Sequence, residues 1–152
     1  MSESGGQSKD RSYKGLKVWQ AATDLAVAAY LASEGWPPEE RYGMISQVRR
    51  ASVSVAANIA EGWGRRSSAE FVRFLLIASG SLKELETLIV VANRVGFASS
   101  ASKDAIESRC GDVGRMLNAL IASIERRNEP SVNETVGEYG SAPDIDPGCV
   151  LD

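Results

Sequence analysis

Histidine does not occur in this chain. Without imidazole there is no Ser-His or Cys-His relay, no His-containing zinc site and no Glu-x-x-His di-iron helix, so most familiar enzyme plans are excluded. Carboxylate pairs, a lysine Schiff base or a magnesium site are the plans left open. Cysteine is nearly absent too. Cys110 falls in a predicted helix and Cys149 in the C-terminal stretch, which indicates no disulfide framework. Long apolar runs are also missing: the longest uncharged stretch, Ala51 to Ala60, is far short of the roughly 20 residues of a bilayer span. No membrane partner is expected. The opening MSESGGQSKD lacks the apolar segment of a secretory signal, so the expected compartment is the cytoplasm.

What is present suits one globular domain. A chain of 152 residues with 43% hydrophobic and 24% charged residues can bury a substantial core. The net charge of −3 hides an uneven distribution. Residues 11–127 carry 16 basic and 12 acidic side chains, whereas residues 128–152 carry six carboxylates and no base. The body is mildly basic and the end strongly acidic.

Residues 1–12 are Gly, Ser and charge, and residues 128–152 are proline, glycine and acids without apolar period; both are expected to be disordered. Between them, 13–127 reads as helices. A first helix over about Lys14 to Glu34 lines up Leu16, Trp19, Ala22, Leu25, Ala26 and Ala29, and Gly35-Trp36-Pro37-Pro38 ends it. A second, over about Pro38 to Glu61, puts Ile45, Val48, Ser52, Val55, Ile59 and Gly62 on one stripe. Half a turn away lie Ser46, Arg50, Val53, Ala57 and Ala60, a face too small and apolar for solvent. That second face predicts an oligomer interface, because a single bundle covers only one side of a helix. Gly62-Trp63-Gly64 is expected to break the helix, and Ser67-Ser68-Ala69-Glu70 reads as a capping box that opens a third. Its stripe is Phe71, Phe74, Leu75, Ala78, Leu82, Leu85, Ile89 and Ala92, with Leu76, Val90 and Val91 left over. After Gly96, Ser99 or Ser100 caps a fourth helix built on Ile106, Cys110, Val113, Leu117, Leu120 and Ile124. Four long helices with short connections predict an all-α fold, an antiparallel up-down-up-down four-helix bundle.

Arg41, Arg49, Arg50, Arg65, Arg66 and Arg73 gather against only Glu61 and Glu70. Two readings stand: a phosphate-contacting patch, since guanidinium forks match phosphate oxygens, or ordinary surface and intersubunit pairing. Arg49 lies beside the core stripe and Arg50 opposite it, so these two do not share a flat surface. The glycines of Gly62-Trp63-Gly64-Arg65-Arg66 lack the spacing and the lysine of a phosphate loop. Trp19, Trp36 and Trp63 are expected to pack under helix ends, and Asn58 and Glu61 to bond open backbone groups of the turn. Asp144-Ile145-Asp146 is too sparse for calcium, and no metal, cofactor or catalytic residue is expected.

The segment SQVRRASVSVAANIAEGWGRR with EFVRFLLIASGSLKELE, together with LKVWQAATDLA and PPEERYGMISQVRRA, resembles a four-helix bundle family. That family includes proteins encoded in intervening sequences of 23S ribosomal RNA and the accessory variability determinant of diversity-generating retroelements. The likeness covers about Tyr13 to Arg127. It implies a non-enzymatic homopentamer with a basic surface or channel. In the retroelement branch it implies a reverse transcriptase as partner and nucleic-acid contacts during cDNA synthesis. The positions matching the basic part of the motif are Arg49, Arg50, Arg65, Arg66 and Arg73. Retroelement accessory proteins are strongly basic, whereas this chain has an isoelectric point near 5.1, its net negative charge coming from the C-terminal stretch. The expected function is therefore an accessory protein binding RNA or cDNA beside a reverse transcriptase. The alternatives are a 23S rRNA intervening-sequence-type protein or an interaction scaffold without nucleic-acid contact.

Overall fold

The computed structural model describes residues 12–130, and among these there are four α-helices and no strand. They are α1 (Lys17–Ser33), α2 (Met44–Trp63), α3 (Ser68–Arg94) and α4 (Ser100–Asn128). Short 3-10 turns at Tyr13–Gly15 and Pro38–Tyr42 precede α1 and α2. The end segments 1–11 and 131–152, expected to be disordered, lie outside the described residues.

α2, α3 and α4 each begin where a side-chain oxygen accepts from an open N–H group. Ser67 Oγ accepts from Glu70 N at 3.1 Å and Ser99 Oγ from Ser102 N at 3.1 Å, both caps legible in the sequence. Only the Ser67 half of the expected capping box is made among the described residues. The second helix differs from expectation. Pro38–Tyr42 forms a separate turn, and α2 starts at Met44, whose N–H is taken by Glu40 Oε2 at 2.9 Å. Gly43 stands at the joint, where a Cβ would lie 2.5 Å from that same carboxylate oxygen. At the end of α3, Gly96 adopts φ +87° and lets Phe97 N and Ala98 N both reach Ala92 O, at 2.8 and 3.1 Å.

The core is the set of stripes expected from periodicity. α1 packs on α2, α2 on α3, α3 on α4 and α4 back on α1, while neither diagonal pair is in backbone contact among the described residues. Leu25, Ile59, Leu75, Leu85, Ile89 and Leu117 are fully buried, and each contributes about 1.5–3 kcal/mol by leaving water. Trp36, in the α1–α2 connection, is buried against Phe97 of the α3–α4 connection at 6.3 Å between rings. Both connections therefore lie at one end of the molecule. At the α2–α3 turn, Gly62 meets Phe71 and Phe74. α2 ends inside the expected Gly62-Trp63-Gly64 break: it runs through Gly62 and Trp63, and Gly64 is its C-cap. A Cβ on Gly62 would stand 2.7 Å from Phe74 Cβ and 2.9 Å from Phe71 Cδ2, so glycine is there to let two helices approach.

Candidate nucleic-acid interface

The α2–α3 turn is tight. Gly64 N donates to Ala60 O and Glu61 O at 3.3 and 3.1 Å, and Arg65 N donates to Gly62 O at 3.1 Å. Ser67 then turns extended and caps α3, which leaves every residue from Gly64 to Glu70 exposed. Arg65 folds back on α2, with Nη2 at 2.7 Å from Glu61 Oε1 in a half-exposed pair worth about 0–1 kcal/mol. Its guanidinium carbon also sits 4.8 Å from the centre of the Phe74 ring, and that of Arg73 sits 5.7 Å from the same ring. One aromatic side chain thus gathers two guanidiniums, each contact worth about 0.5–1 kcal/mol at an exposed site. Arg66 makes no hydrogen bond or ion pair with any described residue. Arg65, Arg66 and Arg73 share one end of α2 and α3 with the first turn of α3, whose positive dipole end adds to their field.

The other two arginines are elsewhere. Arg49 is half-buried and holds α2 to α1: Nε donates to Ser33 Oγ at 2.9 Å, Nη2 reaches Tyr30 O at 3.5 Å, and the guanidinium lies 4.6 Å from the Tyr30 ring centre. Its donors are turned inward, to a buried hydroxyl. Arg50 is exposed and lines a polar recess between α2 and α3 with Gln47, Ser54 and Glu84. Five arginines that are close in sequence therefore divide into a cluster of three, an interhelical clasp and one solvated side chain.

Of the outward stripe of α2, Arg50, Val53 and Ala57 are exposed and Ser46 and Ala60 half-buried. The reading of α1 missed the neighbouring part of this surface. Val27, Tyr30 and Leu31 are 55%, 43% and 62% exposed, and with Thr23, Ala26 and Val53 they line an almost wholly apolar groove of about 360 Å³. The signal was present: these residues recur three and four apart, on the side of α1 away from its core stripe. α3 adds exposed Leu76, Ile77 and Val91, and its C-cap residue Val95 is exposed too.

The remaining candidates resolve into packing. Asn58 donates to Ser54 O at 2.8 Å and Ser54 Oγ at 3.0 Å, within its own helix and not to the turn, while Glu61 pairs with Arg65. Trp63 lies edge-on to Phe71 at 5.9 Å and Trp19 edge-on to Tyr13 at 5.3 Å. Cys110 is fully buried, and burial, with the Glu86 carboxylate assisting and Lys83 opposing, pushes its thiol up to about 12. No helix among the described residues is long and apolar enough to cross a membrane.

Comparison with known proteins agrees with this architecture. No curated protein matches the sequence. A solved structure from Bacteroides thetaiotaomicron VPI-5482, a protein with unknown function from the S23 ribosomal protein family, superposes with a TM-score of 0.65. It is 23% identical, covering 69% of this chain and 95% of its own, a likeness of fold alone. The sequence model described as 23S rRNA-intervening sequence protein matches residues 14–119, which contain the first three helices, the arginine turn and most of α4. By that match the chain belongs to the 23S rRNA-intervening sequence protein family.

Proposed function

We propose that this chain acts without catalysis, as a homo-oligomeric accessory protein that holds RNA or cDNA by its phosphates. The observation that supports the reading is the α2–α3 turn, where Arg65, Arg66 and Arg73 stand at the exposed end of two helices with Arg66 unpaired among the described residues. Guanidiniums so placed contact phosphate oxygens without reading bases. In this reading the helices run up-down-up-down, and a homopentamer closed through the α1–α2 groove repeats the turn around an axis. In a retroelement setting the partner receiving the cDNA is a reverse transcriptase. Arg49 is held in its interhelical clasp and is not part of the contact surface.

Fluorescence anisotropy with a structured RNA tests this. Three phosphate contacts predict a salt slope near −2.7, hence about a 40-fold weakening between 50 and 200 mM salt. The Arg65→Ala, Arg66→Ala double variant leaves one contact and about a fourfold weakening over the same range. No association at low salt, or an unchanged slope in the double variant, refutes the reading. The apolar groove around Tyr30 and Val53 favours a second reading, an interaction scaffold without nucleic-acid contact. Partner capture that persists through nuclease and high salt supports that alternative.

A further inference from the structure

Residues 131–152 hold Glu134, Glu138, Asp144, Asp146 and Asp152 and no lysine or arginine. The described residues stop at Pro130, at the basic end of the bundle. α4 stops at Asn128 behind Arg126 and Arg127, and Asn128, Glu129 and Pro130 face Ala69 and Val72 of α3 across an open cavity of about 580 Å³. Ala69 lies in the first turn of α3, directly after the capped turn that carries Arg65 and Arg66. A segment of 22 residues spans up to about 70 Å extended, whereas the 27 residues of α3 span about 40 Å. Reach does not limit an encounter, and a short flexible tether corresponds to an effective concentration of about 1 mM.

We propose that the acidic segment 131–152 binds the Arg65, Arg66 and Arg73 turn of its own chain and competes there with nucleic acid. Opposite charge supplies the attraction: five carboxylates meet three guanidiniums that have only Glu61 as an ion-pair partner among the described residues. Carboxylates stand in for phosphates at the same donors. The proposal rests on the reading of the turn as a phosphate site for its consequence, competition, but not for the contact itself. With a segment affinity near 0.1 mM, tethering at about 1 mM lowers apparent nucleic-acid affinity roughly tenfold at low salt.

The two parts are read separately on the full chain. Cys110 is buried and its thiol titrates near 12, so a maleimide dye at neutral pH attaches at Cys149. A dye quenched on contact with tryptophan then reports the distance to Trp63. The expected result is quenching at 50 mM salt that disappears at 500 mM, in Trp63→Phe and in Arg65→Ala with Arg66→Ala. A chain with Glu134→Gln, Glu138→Gln, Asp144→Asn, Asp146→Asn and Asp152→Asn is expected to bind structured RNA about tenfold more tightly than the native chain at 50 mM salt. If the native chain binds RNA but shows no salt-reversible quenching and no gain on neutralisation, the segment does not occupy the turn and this inference is overturned, while the function stands. Salt-reversible quenching in a chain that binds no RNA upholds the contact and overturns the proposed function.

Discussion

Replacing Gly62 by alanine should weaken the fold although alanine is the better helix former. Residue 62 is buried near the end of α2, and the added methyl would stand 2.7 Å from Phe74 Cβ, 2.9 Å from Phe71 Cδ2 and 3.3 Å from Phe71 O. The Phe71 ring can turn aside, but Phe74 Cβ is fixed to the backbone of α3, so the helices must separate. Overpacking of this kind costs about 1–3 kcal/mol, against a propensity gain of about 1 kcal/mol, and the backbone shift adds lost contacts around Phe74. The net expectation is a loss of about 1–2 kcal/mol. Gly80 is the internal control: it lies mid-α3 with nothing within 4 Å of its added Cβ, so Gly80→Ala should gain roughly 0.5–1 kcal/mol. Urea denaturation followed by circular dichroism, at one fixed protein concentration, reads both. A Gly62→Ala midpoint at or above that of Gly80→Ala would refute the close-approach argument.

Three further outcomes follow from the same geometry. Cys110 should resist alkylation at neutral pH until the chain unfolds, which peptide mapping after iodoacetamide with and without urea will read. Its raised folded-state pKa, about 12 against an ordinary 9.0, makes its contribution to stability complete below pH 9 and lost as pH climbs through 12. Ser67→Ala removes the cap on α3 and should cost about 1 kcal/mol, read as a lower urea midpoint, with Ser67→Gly losing less. Val53→Glu places a charge in the apolar groove beside Tyr30 and Leu31 and should shift the native mass spectrum toward monomer; an unchanged oligomer distribution would exclude that groove from the interface.

The helical stripes were legible because burial imposes a 3.6-residue period that the sequence records directly: Leu75, Ala78, Leu82, Leu85 and Ile89 were expected in the core and are there. Both serine caps were legible for a similar local reason. What the sequence did not show depends on partners distant in the chain. Gly62-Trp63-Gly64 read as a helix stop and α2 does end there, yet Gly62 itself lies within the helix and its role is set by Phe74 across the turn. Arg49 and Arg65 both belong to the arginine-bearing stretch of the sequence. Only the fold reveals that one is tied to Ser33 and Tyr30 while the other lies over Phe74 among exposed residues. The start of α2 was missed by six residues because Glu40 was read as a helix-dipole acid, when its side chain caps Met44 from the preceding turn.

A small polar seam runs between α2 and α3: Asn58 bonds Ser54 Oγ at 3.0 Å, and Ser54 Oγ bonds Ser81 Oγ at 2.9 Å. Sliding one helix along the other by a single turn, about 5.4 Å, would part Ser54 Oγ from Ser81 Oγ and forfeit the bond that crosses between the helices. The greasy stripes alone would tolerate such a slip far better. The Ser54–Ser81 bond, braced by Asn58 from within α2, thereby acts as a ratchet pawl that favours one register of the two helices carrying the basic tip.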